Sequence, residues 1–216
     1  MDFVIAVDGP AASGKGTIAT ALGLHYGFPV LDTGLLYRAV GVNVLRQGGD
    51  PANEGQAAAV ARALDPKSLD DDAYRSRAAG EAASQVGAHT AVRVALRDFQ
   101  RSFAEHPGGA VIDGRDIGTV IAPHAPAKLY VTASAPVRAR RRWLQLQAAG
   151  EAVTYETVLA DIESRDARDA GRADSPMARA PDAALLDTTE MTIEAAADAA
   201  RRIVEAARGR WERSRG

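Results

Sequence analysis

Short apolar runs alternate along this chain with longer stretches in which apolar residues return every three or four positions. The runs at 3–8, 29–32, 110–113, 128–132 and 184–187 each end on a polar or turn residue, as strands buried on both faces of a parallel sheet do. Helical spacing predicts helices at 15–26, 34–46, 53–64, 91–105, 136–148, 154–169 and 192–210. The last is the plainest. Thr192 can cap it, Glu194 suits its dipole, and Ile193, Ala197, Ala200, Val204, Ala207 and Trp211 form one stripe. Strands alternating with helices predict an α/β fold, a five-stranded parallel sheet with helices on both faces, in one domain over 1–216. Two segments break the rhythm. Residues 65–84, polar and alanine-rich with Asp70-Asp71-Asp72, predict a partly helical excursion outside the core; 171–182, with Gly171, Pro176 and Pro181, predicts a loop.

The first strand runs into Gly9-Pro10-Ala11-Ala12-Ser13-Gly14-Lys15-Gly16-Thr17. Two glycines at this spacing, followed by a lysine at the mouth of a helix, let backbone N–H groups wrap nucleotide phosphates beside one fixed positive charge. The residue after Lys15 is a glycine, and the hydroxyl comes one place later, at Thr17.

The net charge of -2 argues against a sequence-wide grip on nucleic acid or anionic membrane. Absence of cysteine excludes disulfides, thiolate zinc sites and cysteine nucleophiles. No basic-plus-apolar export segment opens the chain, and no apolar run approaches the ~20 residues of a membrane span, so a cytoplasmic location is the expectation; a monomer is the default. Lysine is scarce, three among 26 basic residues, and one of the three stands at position 15.

In open parallel sheets, ligands bind beyond the carboxyl ends of the strands. Those ends carry the phosphate loop, then Asp32-Thr33-Gly34 with Tyr37 and Arg38, then Asp113-Gly114-Arg115-Asp116, and beyond the fourth strand Arg138, Arg140, Arg141 and Arg142. Arg165, Arg168, Asp169 and Arg172 follow on or just past the next helix. Arginines from several segments converging on a phosphate loop suit phosphoryl transfer, whose charge is stabilised by Lys, Arg and Mg²⁺. His25, His89, His106 and His124 are dispersed, which fits a reaction without a catalytic imidazole. Asp113 reads either as a strand-end turn carboxylate or as a group near Mg²⁺, Tyr37 as packing or ligand contact, and Arg97 and Arg101 as surface charges.

With these residues in order, the chain resembles the bacterial cytidylate kinases, a group of P-loop nucleoside monophosphate kinases, over nearly its whole length. The matching stretches are Ile5 to Thr17, Leu31-Asp32-Thr33-Gly34 with Tyr37-Arg38, and Ala83-Ser84-Gln85-Val86 with Val92-Arg93. They continue with Asp113 to Val120, Arg165-Asp166 with Arg168-Asp169 and Arg172, and Leu186-Asp187-Thr188-Thr189. The resemblance implies transfer of the γ-phosphoryl group of MgATP to CMP or dCMP. Gly9 to Thr17 would hold ATP, with Lys15 on the phosphates and Thr17 near Mg²⁺. Arg38 and Arg115 would hold the acceptor phosphate, with Tyr37 and Thr33 beside it. Ser84, Arg93 and Asp116 would read cytosine, Arg165 and Asp169 would meet the ribose, and Arg172 would face the transferring phosphates. Arg138, Arg141 and Arg142 would line a helical lid over about 138–172, opposite an acceptor-binding insert over about 34–105. Many bacterial members carry a small extra sheet in that insert; residues 65–83 are short and lack strand alternation, so a reduced insert is expected.

A UMP or AMP kinase would share the loop and arginines but differ at Ser84, Arg93 and Asp116. A P-loop switch that reads guanine with Asn-Lys-x-Asp is disfavoured, because Asn43 and Asn53 are followed by Val44 and Glu54. A nucleic-acid binder resting on Arg138–Arg142 lacks interleaved aromatics there.

Overall fold

The computed structural model describes residues 2–66, 69 and 74–215. Five parallel strands form one sheet: β1 (Val4–Asp8), β2 (Val30–Asp32), β3 (Ala110–Gly114), β4 (Ala127–Thr132) and β5 (Ala184–Asp187), in the order β2-β3-β1-β4-β5. β1 pairs with β3 from Val4↔Ala110 to Asp8↔Gly114, and with β4 from Ile5↔Ala127 to Asp8↔Tyr130. Asp8, Asp32, Asp113 and Gly114 therefore end side by side along one rim of the sheet.

The central strands β1 and β3 are buried throughout, but β2 and β5 are not. The sequence reading of every strand as fully buried fails at these two because each lies at an edge, with one flank unpaired. Leu185 on β5 is half exposed.

Among the described residues, eight α-helices surround the sheet: α1 (Lys15–Tyr26), α2 (Thr33–Arg46), α3 (Glu54–Ala63), α4 (Arg77–Val86), α5 (Thr90–Ala104), α6 (Ala135–Ala148), α7 (Tyr155–Ala170) and α8 (Ile193–Arg213). On one face Ile5, Val7 and Leu129 pack with Ile18 and Leu22 of α1 and with Ala200 and Val204 of α8. The other face buries Val4, Ala6 and Ile112 against Ile117 and Ile121. The stripe of α8 is rotated slightly from the sequence reading. Ala196, Ala200, Val204 and Ala207 are buried, whereas Ile193 is 67% exposed in the first turn, beyond the reach of the sheet.

α4 is the larger correction. It falls within the stretch expected to lie outside the core, yet Ala79, Ala82, Ala83, Ser84 and Val86 are buried. Its alanines let two helices approach closely: Gly41 of α2 faces Ala82. Ser76 caps it by accepting the Ala79 N–H. The acidic triplet 70–72 lies outside the described residues. Residues 171–182 form a loop, as the sequence predicts.

A nucleotide cleft on the sheet rim

β1 turns at Gly9 (φ 148°), where a side chain is impossible: a Cβ would lie 1.9 Å from the Val131 carbonyl oxygen. The loop then passes through Ala12 at φ 59°, a left-handed conformation uncommon for alanine, and reaches Gly14 at φ 91°. A strained residue inside a phosphate loop had no signal in the sequence, since alanine carries no conformational signature. Two arginines of α6 hold this loop from outside. Arg138 Nη1 donates to the Ala11 carbonyl (3.3 Å) and Arg141 Nη1 to that of Ser13 (3.4 Å). The Thr188 hydroxyl, just past β5, also donates to the Ser13 carbonyl (2.9 Å). Arg138 is fixed in turn by Asp166 on α7 (2.6 and 3.1 Å). Arg138 and Arg141 thus brace the loop on which the sequence reading had arginines converge, a role beyond the lid lining that the resemblance implied.

Lys15 opens α1 beside two carboxyl groups, those of Asp32 and Asp113, which hydrogen-bond each other. Burial and the Arg115 charge lower the Lys15 pKa to about 8, against the pull of Asp113 and Asp32. Burial raises Asp113 to about 7 despite Lys15. Asp32 goes the other way: burial would raise its pKa, but the Arg38 guanidinium at 2.8 Å, together with Lys15 and the hydrogen bond with Asp113, holds it down. Two neighbouring acids displaced in opposite directions share one proton most readily. Of the two, the sequence reading weighed only Asp113; the parallel register that sets Asp32 against it settles the pairing.

On the same rim, a cleft is lined by Thr33, Gly34, Tyr37, Ala83, Gly87, Arg93, Gly114, Arg115, Asp116, Arg165 and Arg172. Seven of these residues, from four separate segments, are ones to which the sequence reading gave a role in the site. Asp169 is the hub on one side. Fully buried, it receives Arg115 Nε at 3.1 Å, Arg165 Nε at 3.7 Å and a short contact from Arg172 Nη2. Burial alone would raise its pKa, but the three guanidiniums bring it below the ordinary carboxylate range. On the other side Arg93 and Asp116 form a buried ion pair. Burial raises the Asp116 pKa, with Arg93 and Arg172 opposing. Tyr37 lies under Arg93, its hydroxyl paired with Gln100. The Oγ of Ser84 and the Nε atoms of Arg93, Arg165 and Arg172 are buried without hydrogen-bond partners, which suits a cleft shaped for a polar guest.

Arg142 does not line the cleft. It donates to the carbonyls of Arg75 (2.9 Å) and Ser76 (3.2 Å), within reach of α4. Arg97, read as a surface charge, pairs with Asp174 at 3.4 Å. The four histidines stay outside the cleft lining. Two further pairs escaped the sequence reading: Arg77–Asp161 (2.6 Å) and Arg168–Glu81 (2.7 Å) join α4 to α7 across the mouth. Their partners stand about 84 and 87 residues apart, so no local pattern could reveal them.

A phosphate loop at the end of β1, a cationic cleft beside it and a helical pair above define a P-loop nucleotide kinase. Residues 5–206 match the cytidylate kinase family. The chain is 66% identical to the cytidylate kinase of Caulobacter vibrioides over 97% of its own length and 99% of that protein's, and 63% identical to that of Caulobacter sp. K31 over the whole of both. It belongs to the cytidylate kinase family, whose reaction is the phosphorylation of CMP by ATP. At the level of fold alone it is similar to a gluconokinase from Sinorhizobium meliloti (TM-score 0.51, 15% identity, 99% and 97% of the two chains). Among the described residues no helix is long and apolar enough to cross a membrane.

Proposed function

We propose that the protein transfers the γ-phosphoryl group of ATP to the phosphate of CMP and dCMP. The observation that carries this reading is the adjacency of the Lys15 loop to a cleft lined by Arg115, Arg165 and Arg172 and by the Arg93–Asp116 pair, with Arg38 beside its Gly34. With its carbonyls tied back by Arg138, Arg141 and Thr188, the loop has N–H groups left for the donor phosphates. Gly9, Pro10, Ala11, Ala12, Ser13, Gly14, Lys15, Gly16 and Thr17 form the donor cradle. Lys15 supplies its fixed charge.

The acceptor phosphate meets Arg38 and Arg115, beside Thr33 and Tyr37. It is largely a dianion at neutral pH, so the attacking oxygen needs no general base. Ser84, Arg93 and Asp116 offer donors and acceptors to the cytosine edge. Arg165 and Asp169 face the ribose, and Arg172 the phosphates in transfer. Arg142 belongs to the closing lid, whose closure excludes water as a competing acceptor.

The residues also fit Mg²⁺. Asp113 Oδ1 is buried without a partner, and Asp113 Oδ2 would lie 3.2 Å from a Cβ at Gly16, so that glycine leaves space beside the carboxylate. Magnesium is commonly held by one or two carboxylates plus substrate phosphates, and Asp113, Asp32 and the Thr17 hydroxyl are the groups that would receive it. When bound, the ion neutralises charge on the donor phosphates. The same reading has the enzyme act as a cytoplasmic monomer on nucleotides rather than nucleic acids.

An ATP-coupled assay across CMP, dCMP, UMP, AMP and GMP tests the acceptor. Turnover should be confined to the cytidine nucleotides. Asp116→Ala should raise KM for CMP at least tenfold and leave KM for ATP within about threefold. Equal loss with both substrates would remove Asp116 from the base pocket.

A further inference from the structure

Asp8 closes β1 immediately before the phosphate loop, yet its side chain serves a segment more than a hundred residues away. One carboxylate oxygen accepts the Ile117 N–H at 2.7 Å and the other accepts the Gly118 N–H at 2.7 Å. These two N–H groups open a single π-helical turn over Ile117–Ile121, where a helix has no internal acceptor for its first donors. None of that turn's own neighbours caps it, so Asp8 acts as a cap delivered from another strand. The approach depends on Gly118: a Cβ there would stand 3.3 Å from Asp8 Oδ2 and 3.2 Å from Lys128 Cδ.

The residue just before the capped turn is Asp116. Its carbonyl accepts the Val120 N–H (2.8 Å) and the Ile121 N–H (3.3 Å), so the same turn fixes its backbone. Its carboxylate pairs with Arg93 across the cleft. Asp8 is not itself among the residues that line the cleft; its strand sets it beside Gly114, which is.

We propose that Asp8 is a positioning residue for acceptor-base selection, holding the 116–118 backbone so that the Asp116 carboxylate meets cytosine. This rests on the reading of Asp116 as a base contact. Asp8 is buried at 4% exposure, and burial raises its pKa to about 6 although both N–H groups, and more weakly Arg115, favour its charge; Asp116 adds to the rise. A buried carboxylate held against that opposition by two main-chain donors is costly unless its geometry matters. The strut also joins the two halves of the reaction centre, because Gly9 follows Asp8 directly and Asp116 precedes Ile117.

The test is Asp8→Asn, which keeps size but sets an amide NH₂ against one of the two N–H donors. Steady-state kinetics with CMP, UMP and ATP should show KM for CMP up at least tenfold and the CMP-over-UMP ratio of kcat/KM down at least tenfold. kcat at saturation and KM for ATP should stay within about threefold. A merely structural defect would lower active enzyme and leave KM and selectivity alone. Unchanged selectivity overturns the proposal, as does a KM for ATP that climbs in step with that for CMP. Should Asp8→Asn fail to fold, Gly118→Ala displaces the same carboxylate, and a selectivity loss of at least threefold is expected; none overturns the proposal. Asp116→Ala in parallel separates the two ideas. If it keeps its preference for CMP, the base-contact reading falls and the strut with it; if it loses that preference while Asp8→Asn retains it, only the strut is refuted.

Discussion

The donor loop and the acceptor cleft sit on one sheet rim but are built by opposite means. The loop is nine consecutive residues whose chemistry lies in the main chain, with Lys15 its only charged side chain. The cleft is a lattice of side chains from five segments, in which Asp169 gathers three arginines and Asp32 and Asp116 hold one each. A backbone cradle needs shape, and two glycines with a tight turn supply it. A cationic cleft needs order in the absence of its ligand, because guanidiniums packed together repel. The buried aspartates provide that order. Loss of a single residue should therefore act differently in the two regions: in the loop on transfer alone, in the lattice on both stability and acceptor binding.

The largest effect is expected at Lys15. Lys15→Ala removes the one cation supplied by the loop, and losses of charge stabilisation in phosphoryl transfer reach about 10³–10⁵ in rate. kcat/KM should fall by about a thousandfold or more while circular dichroism and the melting temperature stay near those of the parent. Burial and the Arg115 charge oppose the Lys15 charge more than Asp113 and Asp32 favour it, which is why the fold should tolerate the change. Turnover within about tenfold of the parent would break the comparison at its donor end.

The lattice behaves otherwise. Asp169→Asn removes the carboxylate that Arg115, Arg165 and Arg172 share. Stranding buried charge of this kind costs about 3–5 kcal/mol, and about 2–4 °C of melting temperature accompanies each kcal/mol in a chain this size. A fall of about 10 °C in the free protein is expected from scanning fluorimetry, together with a KM for CMP raised about 10- to 100-fold and a KM for ATP changed by less than threefold. Added CMP should recover part of the lost melting temperature, since its phosphate supplies the missing negative charge. An unchanged melting point would show that the arginines order themselves without Asp169.

The same contrast explains what could be read in the chain beforehand. The loop was legible because its residues are adjacent and each has a reason tied to its position. Strand ends told which residues reach the rim, so Thr33, Arg38, Arg115 and Asp116 could be placed there before any coordinates. What could not be read were the partners. Asp113 finds Asp32 through strand register, Arg138 finds Asp166 through helix crossing, and Asp8 finds Ile117 through a turn of a kind that hydrophobic spacing does not mark. α4 was misjudged for a related reason: its buried face is made of alanine, serine and valine, so no large apolar residue marks it as core, while the helix is seated by close approach to α2. Thr188 was findable, standing directly past β5 on the rim that holds every other loop.

The smallest effect lies between the two regions, where α7 closes on α4 through Arg77–Asp161 and Arg168–Glu81. Both pairs are bidentate, but their side chains are 33–45% exposed, so water and salt screen them. Each is worth about 0.2–1 kcal/mol on that account. Burial is what separates these from the pairs inside the cleft, and it sets the size of the expected result. Glu81→Gln with Asp161→Asn should weaken closure over the acceptor, raising KM for CMP about two- to fivefold at low salt with little change in kcat. Adding salt to the parent should move its KM toward that of the double variant, while the variant itself responds weakly. A salt response identical in both would show that α7 is held over α4 by other contacts, such as Arg142 on the carbonyls of Arg75 and Ser76, and that the exposed pairs are not what sets closure.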